Sequence, residues 1–250
     1  MSPVPLCPVK VISLERSTER RAEFRRRNFR LDFEFFNAVD GAALSEETIA
    51  ASGLFKPGLD YTRGAYGVAL SHHTLWQQAI AGGEPLTIAE DDAVFREDFA
   101  ETRAEFLARQ PPGWDIVLWG WNFDAILALK LLPGVPVVMG FDQNAMRAAI
   151  NGFPFTGGMP LSFRLDTSFG IPAYSISPAG ARKLTTRCFP LTDFSQPMPG
   201  MPNPVRNSGI DVAMAASYPA CDAYVCFPPL VLTRNDHATS TIQDGQFIAG

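Results

Sequence analysis

The sequence predicts an α/β fold: a mostly parallel central sheet with flanking helices, in a single domain over residues 1–250. Three observations carry the prediction. Residues 9–14 (VKVISL) are short, apolar and β-branched, as in a buried strand. An arginine-rich helical stretch and a second strand at 33–39 follow, a strand–helix–strand order that favours a parallel pair. A third strand at 85–89 runs straight into Glu90, Asp91 and Asp92.

Each element has its own local signal. Ser17 or Thr18 can cap the first helix, which extends to about residue 30, and Asp40-Gly41 closes the second strand as a turn. A short helix and a loop with Pro57-Gly58 fill 44–63. Gly64 and Gly67 precede a helix starting near Leu70, with Leu75, Trp76, Ala79 and Ile80 on its apolar side and Gly82-Gly83 at its end. Phe95, Phe99 and Phe106 mark one face of the next helix. Residues 115–119 form a fourth buried strand. The stretch 120–169 is rich in Gly, Pro, Phe and Met and reads as an irregular excursion, with one helix near 143–150. A strand at 173–176 leads to Ser177-Pro178, an N-cap followed by proline at the first helical position. A proline-rich loop over 189–208, a helix near 211–216 and strands around 224–232 complete the chain.

Composition narrows the function classes. With 46% hydrophobic and 19% charged residues in 250, the chain can build a sizeable core and is not globally disordered. A net charge of −5 argues against a nucleic-acid-binding surface. Seven arginines nevertheless fall within 16–30; they suit phosphates, acidic lipid or an anionic glycan, or else a solvated helix face. The four cysteines form no CxxC pair and are too sparse for a disulfide scaffold. No signal-peptide pattern and no run of about 20 apolar residues stand out, so a cytoplasmic protein is expected, with peripheral membrane contact possible through the arginine face or the excursion.

The acidic triplet carries the sharpest chemistry. Ligands of open α/β sheets bind outside the carboxyl ends of the strands. Three adjacent carboxylates there repel one another, and a hard divalent cation, Mg²⁺ or Mn²⁺, relieves the repulsion. Such a metal can bridge the two phosphates of a nucleotide sugar and neutralise the leaving diphosphate. The alternating pleat keeps the three side chains from facing one way; Asp92 is the expected direct ligand, Asp91 meets the ribose or the metal, and Glu90 supports them. The competing reading makes the triplet an acidic cap of the following helix.

Four blocks in order resemble glycosyltransferase family 25, the lipopolysaccharide-biosynthesis galactosyltransferase type. They are VISLERSTERR (11–21), GAYGVALSHHTLW (64–76), TIAEDDAVF (87–95) and AYSISPAGARKL (173–184), the last followed by Asp211. Val68 departs from the cysteine often found beside the family's second glycine. The resemblance implies a Rossmann-like, GT-A type nucleotide-sugar glycosyltransferase fold with a metal-binding acidic motif. It implies a UDP-sugar donor, often UDP-galactose, and inversion at the anomeric carbon. The expected acceptor is a glycan or a lipid-linked, lipopolysaccharide-type saccharide. A non-catalytic nucleotide-sugar or carbohydrate-binding module of the same fold is the alternative.

Site roles follow from the resemblance and the chemistry together. Asp211 resembles the acidic residue after the fourth block and is the expected base, ahead of Asp166 and Asp142. Ser71 and His72, near a helix start whose free amides favour phosphate, are expected at the donor; His72 can also meet the acceptor, or else is a packing histidine. Arg16 and Arg20 follow the first strand and can flank the nucleotide. His237, in a late polar loop, can complete a metal site with Asp91 and Asp92, or else is a surface histidine. Trp119, Trp121 and Phe123 either stack on a sugar or belong to the core.

Overall fold

The computed structural model describes residues 8–123 and 125–234. The chain opens as read from the sequence: β1 (Val9–Ser13), α1 (Thr18–Arg27) and β2 (Phe33–Asn37), with β1 and β2 parallel and Val9 opposite Phe33. Two helices follow, α2 (Glu46–Ala51) and α3 (Arg63–Gly82). Next come β3 (Leu86–Glu90), β4 (Ala93–Phe95), α4 (Phe99–Ala108) and β5 (Ile116–Leu118). Strands β6 (Leu127–Leu132) and β7 (Val135–Met139) form a hairpin, followed by α5 (Gln143–Ala149). Then β8 (Leu161–Ser168) and β9 (Ala173–Ile176) lead to α6 (Pro178–Cys188). The short pair β10 (Ser195–Gln196) and β11 (Val205–Arg206) precedes α7 (Ile210–Ser217), β12 (Ala223–Phe227) and β13 (Val231–Thr233).

Nine strands form one sheet in the order β2-β1-β3-β9-β5-β12-β8-β6-β7. It is mixed rather than mostly parallel, which corrects the sequence expectation. Parallel pairing joins β1 to β2, β1 to β3 and β12 to β5; the other neighbours are antiparallel. The cause is the path of residues 120–172. After β5 the chain builds strands instead of one covering helix, and it returns beside the carboxyl end of β5. There the Asn122 amide donates to the Phe169 carbonyl and the Trp119 amide to the Ala173 carbonyl, both close to 3 Å. Entering from that end, β9 must run antiparallel to both β3 and β5. The excursion is therefore mostly regular structure.

Helix α3 starts at Arg63, seven residues before the predicted start at Leu70, with the Thr62 hydroxyl accepting from the Ala65 amide as its cap. Gly64 and Gly67 lie inside it. The second is required by packing: a Cβ on Gly67 would overlap the Val39 carbonyl oxygen and sit 2.8 Å from the Gly41 nitrogen. Bare backbone lets α3 lie directly on the chain leaving β2. Leu75 and Trp76 on its inner side are fully buried, each contributing on the order of 2 kcal/mol or more by apolar burial. Gly83 ends the helix at φ 71°. Phe95 belongs to β4, not to α4, which begins at Phe99 after Asp98. Helix α6 begins as predicted, with Ser177 Oγ accepting from the Gly180 amide and proline at the first position. Among the described residues no helix is long and apolar enough to cross a membrane.

Candidate functional site

The carboxyl ends of β1 and β3 lie side by side, Ile12 opposite Glu90. Glu90 ends β3, and Asp91-Asp92 form the turn into β4, so the triplet caps no helix. The turn separates the three carboxylates. Asp91 points back toward β1 and α1: Ser13 Oγ donates to its Oδ2 at 2.7 Å, and Arg20 Nε donates to its Oδ1 at 2.9 Å. Arg20 makes a second ion-pair contact to the same carboxylate. With Asp91 only 10% exposed, this pair pins α1 to the end of β3. Arg20, read from the sequence as a residue that can flank the nucleotide, reaches the acidic turn and pairs there with Asp91.

Asp92 points the other way. Its Oδ2 accepts from the Thr233 hydroxyl at 3.0 Å, while its Oδ1 is buried with no hydrogen-bond partner among the described residues. Burial raises the pKa of its carboxyl, against the pull of Arg20 and the Thr233 hydrogen bond. Glu90 is pushed well above the usual carboxylate range, first by burial and then by Asp92, Asp211 and Asp91. Its amide donates to the Pro172 carbonyl at 3.0 Å, placing it at the entry to β9. Asp211 sits in the first turn of α7 and accepts from the Gly170 amide at 3.2 Å. The 169–172 connection thus brings Glu90 and Asp211 to one place, a juxtaposition hidden in the sequence by 120 intervening positions.

A cavity of about 330 Å³ opens beside this turn, lined by Arg20, Phe24, Arg27, Asp91, Asp92 and Arg234, with Glu19 and Glu23 at its rim. Arg234 enters because β13 pairs with β4, Thr233 opposite Ala93. Sequence reasoning missed Ser13, Thr233, Arg234 and Gly170, and no local signal pointed to them; only the sheet pairing does.

The metal expectation can be weighed on these side chains. Among the described residues, no three His, Cys, Asp or Glu side chains gather closely enough to hold an ion alone. Asp91 is already engaged by Arg20 and Ser13. The partnerless Oδ1 of Asp92 beside Glu90 fits a different arrangement. Mg²⁺ commonly takes one or two carboxylates and completes its shell with water and substrate phosphates. His237 lies outside the described residues.

Other predicted site residues lie elsewhere. Ser71 and His72 are mid-helix in α3 and fully buried, not at a helix start, so the free amides expected beside them do not exist. Ser71 Oγ donates to the Gly67 carbonyl and accepts from the Val39 amide, tying α3 to the chain after β2. His72 Nδ1 meets the Tyr174 hydroxyl at 2.7 Å, and Trp76 Nε1 donates to the same hydroxyl at 2.8 Å. Burial lowers the His72 pKa to about 3, so the ring is neutral. Arg16 is exposed and ion-paired with Asp40 at the start of the 3₁₀ turn Gly41–Ala43. Trp119, Trp121 and Phe123 are buried core residues.

Comparison with known proteins bears on this arrangement. The family model described as Glycosyltransferase family 25 (LPS biosynthesis protein) matches residues 7–192, which include β1, the acidic turn and α6. A "Glycosyltransferase 25 family member" of Aedes aegypti is 36% identical over 126 residues, covering 45% of this chain and 21% of that protein. A "Putative glycosyltransferase R655" of Acanthamoeba polyphaga mimivirus is 35% identical over 118 residues, covering 44% of this chain and 36% of that protein. An "Inactive glycosyltransferase 25 family member 3" of Mus musculus is 28% identical over 208 residues, covering 74% of this chain and 31% of that protein. The aligned part of this chain spans about a fifth to a third of the length of these relatives. The match over most of the chain, with all four sequence blocks in order, establishes that the chain belongs to glycosyltransferase family 25.

Proposed function

We propose that this chain is a divalent-metal-dependent, inverting hexosyltransferase of GT-A type. It moves a sugar, galactose in the first instance, from a UDP-sugar to a glycan or lipid-linked acceptor. The observation that carries the reading is the crowding of buried carboxyl groups at the end of β3. Asp92 Oδ1 is buried without a partner among the described residues, and burial beside Asp92, Asp211 and Asp91 pushes Glu90 well above the normal range. Such a site is costly unless a cation is part of the working state. The parallel order β2-β1-β3, with the acidic turn at its carboxyl end, supports the GT-A assignment.

The roles divide along the geometry. Asp92 holds Mn²⁺ or Mg²⁺, with His237 as a further ligand. A bound cation supplies charge neutralisation to the departing diphosphate. Asp91, locked by Arg20 and Ser13, fixes the turn that aims Asp92 and offers its rim to the donor ribose. Arg27 and Arg234, in the cavity beside Asp92, face the donor phosphates. Arg16 flanks the nucleotide, and Ser71 and His72 act from beneath, holding α3 against the chain that leaves β2. Asp211 takes the proton of the acceptor hydroxyl as its oxygen bonds to the anomeric carbon; the bond to the diphosphate breaks on the opposite face, and the diphosphate leaves with the electron pair. Three buried free cysteines, Cys188, Cys221 and Cys226, support a reducing, cytoplasmic setting.

Turnover tests the reading. With UDP-galactose, Mn²⁺ and a saccharide acceptor, the wild type forms a disaccharide of inverted configuration, and Asp211→Asn lowers kcat by about 10²–10⁴-fold. Equal rates in Asp211→Asn would remove Asp211 from the mechanism. Donor binding without transfer to any of a panel of acceptors would favour the non-catalytic module, the reading suggested by the mouse relative's printed name.

A further inference from the structure

The β6–β7 hairpin is built unlike the rest of the sheet. Its base is core: Leu127, Ala128 and Leu129 are buried. From Leu131 to Val138, eight residues in a row are exposed. A half-buried strand alternates between covered and open positions; this tip is exposed on both faces. It is also apolar on every side. Leu131 and Leu132 are 63% and 61% exposed, and Val135, Val137 and Val138 are exposed as well. No charged side chain occurs from Leu131 to Phe141, in a chain that is 19% charged. Exposed Met201 extends the patch, since the neighbouring Gly200 packs against Val138.

We infer that this hairpin tip inserts into the interfacial layer of a lipid bilayer and holds the protein at a membrane surface. Three features select lipid over a protein partner. A flat protein surface covers one face of a hairpin, whereas lipid surrounds both. Eight residues are well short of the roughly 20–30 a side that a stable protein interface takes. The third is the outer edge of β7. Pro136 pairs with Lys130 in the ladder but has no N–H, so it sits at a non-hydrogen-bonded position with its nitrogen turned outward. That edge is therefore blunted for strand addition by a second copy or a partner chain. The same substitution suits lipid: Pro133 and Pro136 remove two amide donors that hydrocarbon could not satisfy. Edge groups that remain limit the tip to the headgroup–acyl boundary, about 5–10 Å deep. The inference deepens the proposed function by placing the enzyme where a lipid-linked acceptor resides, yet its test needs no turnover.

The full chain is floated with vesicles of phosphatidylcholine and phosphatidylglycerol (7:3) at 0.1 M and 0.5 M NaCl. The wild type is expected to float at both salt concentrations, because apolar insertion is weakly screened. The double variant Leu131→Asn, Leu132→Asn is expected to lose at least tenfold in apparent partition. Both side chains are exposed, so its unfolding midpoint and its UDP-sugar affinity stay those of the wild type. The inference is overturned by a wild type that does not float. It is also overturned by equal flotation of the double variant, or by binding abolished at 0.5 M NaCl, which would point to the arginines of α1. A lipid-free dimer that the double variant dissociates in the ultracentrifuge would make the tip a contact between copies and overturn it too. Failure of UDP-sugar binding leaves flotation unchanged, so the two proposals fail separately.

Discussion

Tyr174→Phe separates a structural His72 from a donor-binding one. The Tyr174 hydroxyl is the shared partner of Trp76 Nε1 and His72 Nδ1, and all three side chains are fully buried. Removing one oxygen leaves two buried polar atoms without partners. Each costs about 1–3 kcal/mol, so the variant is expected to lose about 2–6 kcal/mol of folding stability, with ring stacking between His72 and position 174 retained. Urea unfolding measures it: the midpoint falls while the m-value holds, because the surface exposed on unfolding is unchanged. The affinity for UDP-sugar in the folded variant is expected to match the wild type within twofold. A stability loss below about 0.5 kcal/mol, small against the cost of one orphaned group, would refute the hydrogen-bond argument. A normal midpoint with weakened donor binding would show that the triad serves the ligand instead.

Two further outcomes follow from the charges at the acidic turn. Glu90 has a folded pKa raised above its unfolded value of about 4.3. Its contribution to stability is therefore full below pH 4 and is lost as pH rises through the folded pKa. Without divalent cation, Glu90→Gln should melt higher than wild type at pH 8 by scanning calorimetry, and the gap should close toward pH 4; a constant gap would contradict the assigned burial and repulsion. Arg20→Ala strips the partner from a carboxylate that is only 10% exposed. Breaking a buried pair costs about 3–5 kcal/mol, and the partial exposure of Arg20 reduces this to about 1–3 kcal/mol; Arg20→Lys should recover part of it, and an unchanged denaturation midpoint in Arg20→Ala would show that Asp91 is held by Ser13 alone.

Elements with strong local signals are legible in the sequence. Apolar β-branched runs mark β1 and β3, and Ser177-Pro178 starts α6. Where tertiary packing overrides propensity, the reading failed. Two glycines cost a helix about 1 kcal/mol each relative to alanine, so local propensity favours a start of α3 after them. In the fold, Gly67 is what lets the helix touch the chain after β2, and Ser71 and His72 move to mid-helix with it. Strands β6 and β7 were hidden by Pro133, Gly134 and Pro136, which read as loop; at an exposed hairpin on the sheet edge those residues are tolerated. Strand direction is not written locally at all, and the reversal of β9 depends on the strands inside the excursion, which carry no local signal. For the site, the acidic triplet was visible as a cluster at a strand end. The split that sends Asp91 to Arg20 and Asp92 to Thr233 was not, because it is made by a turn and by β13, from the far end of the chain.

The central claim is that Asp92 takes a cation that the nucleotide-sugar donor shares. Isothermal calorimetry of UDP-galactose binding, with and without Mn²⁺, in wild type and Asp92→Ala tests it most directly. The account predicts binding that requires Mn²⁺ in the wild type and is at least tenfold weaker in a folded Asp92→Ala. Equally tight binding without metal, or binding undiminished in Asp92→Ala, would contradict it.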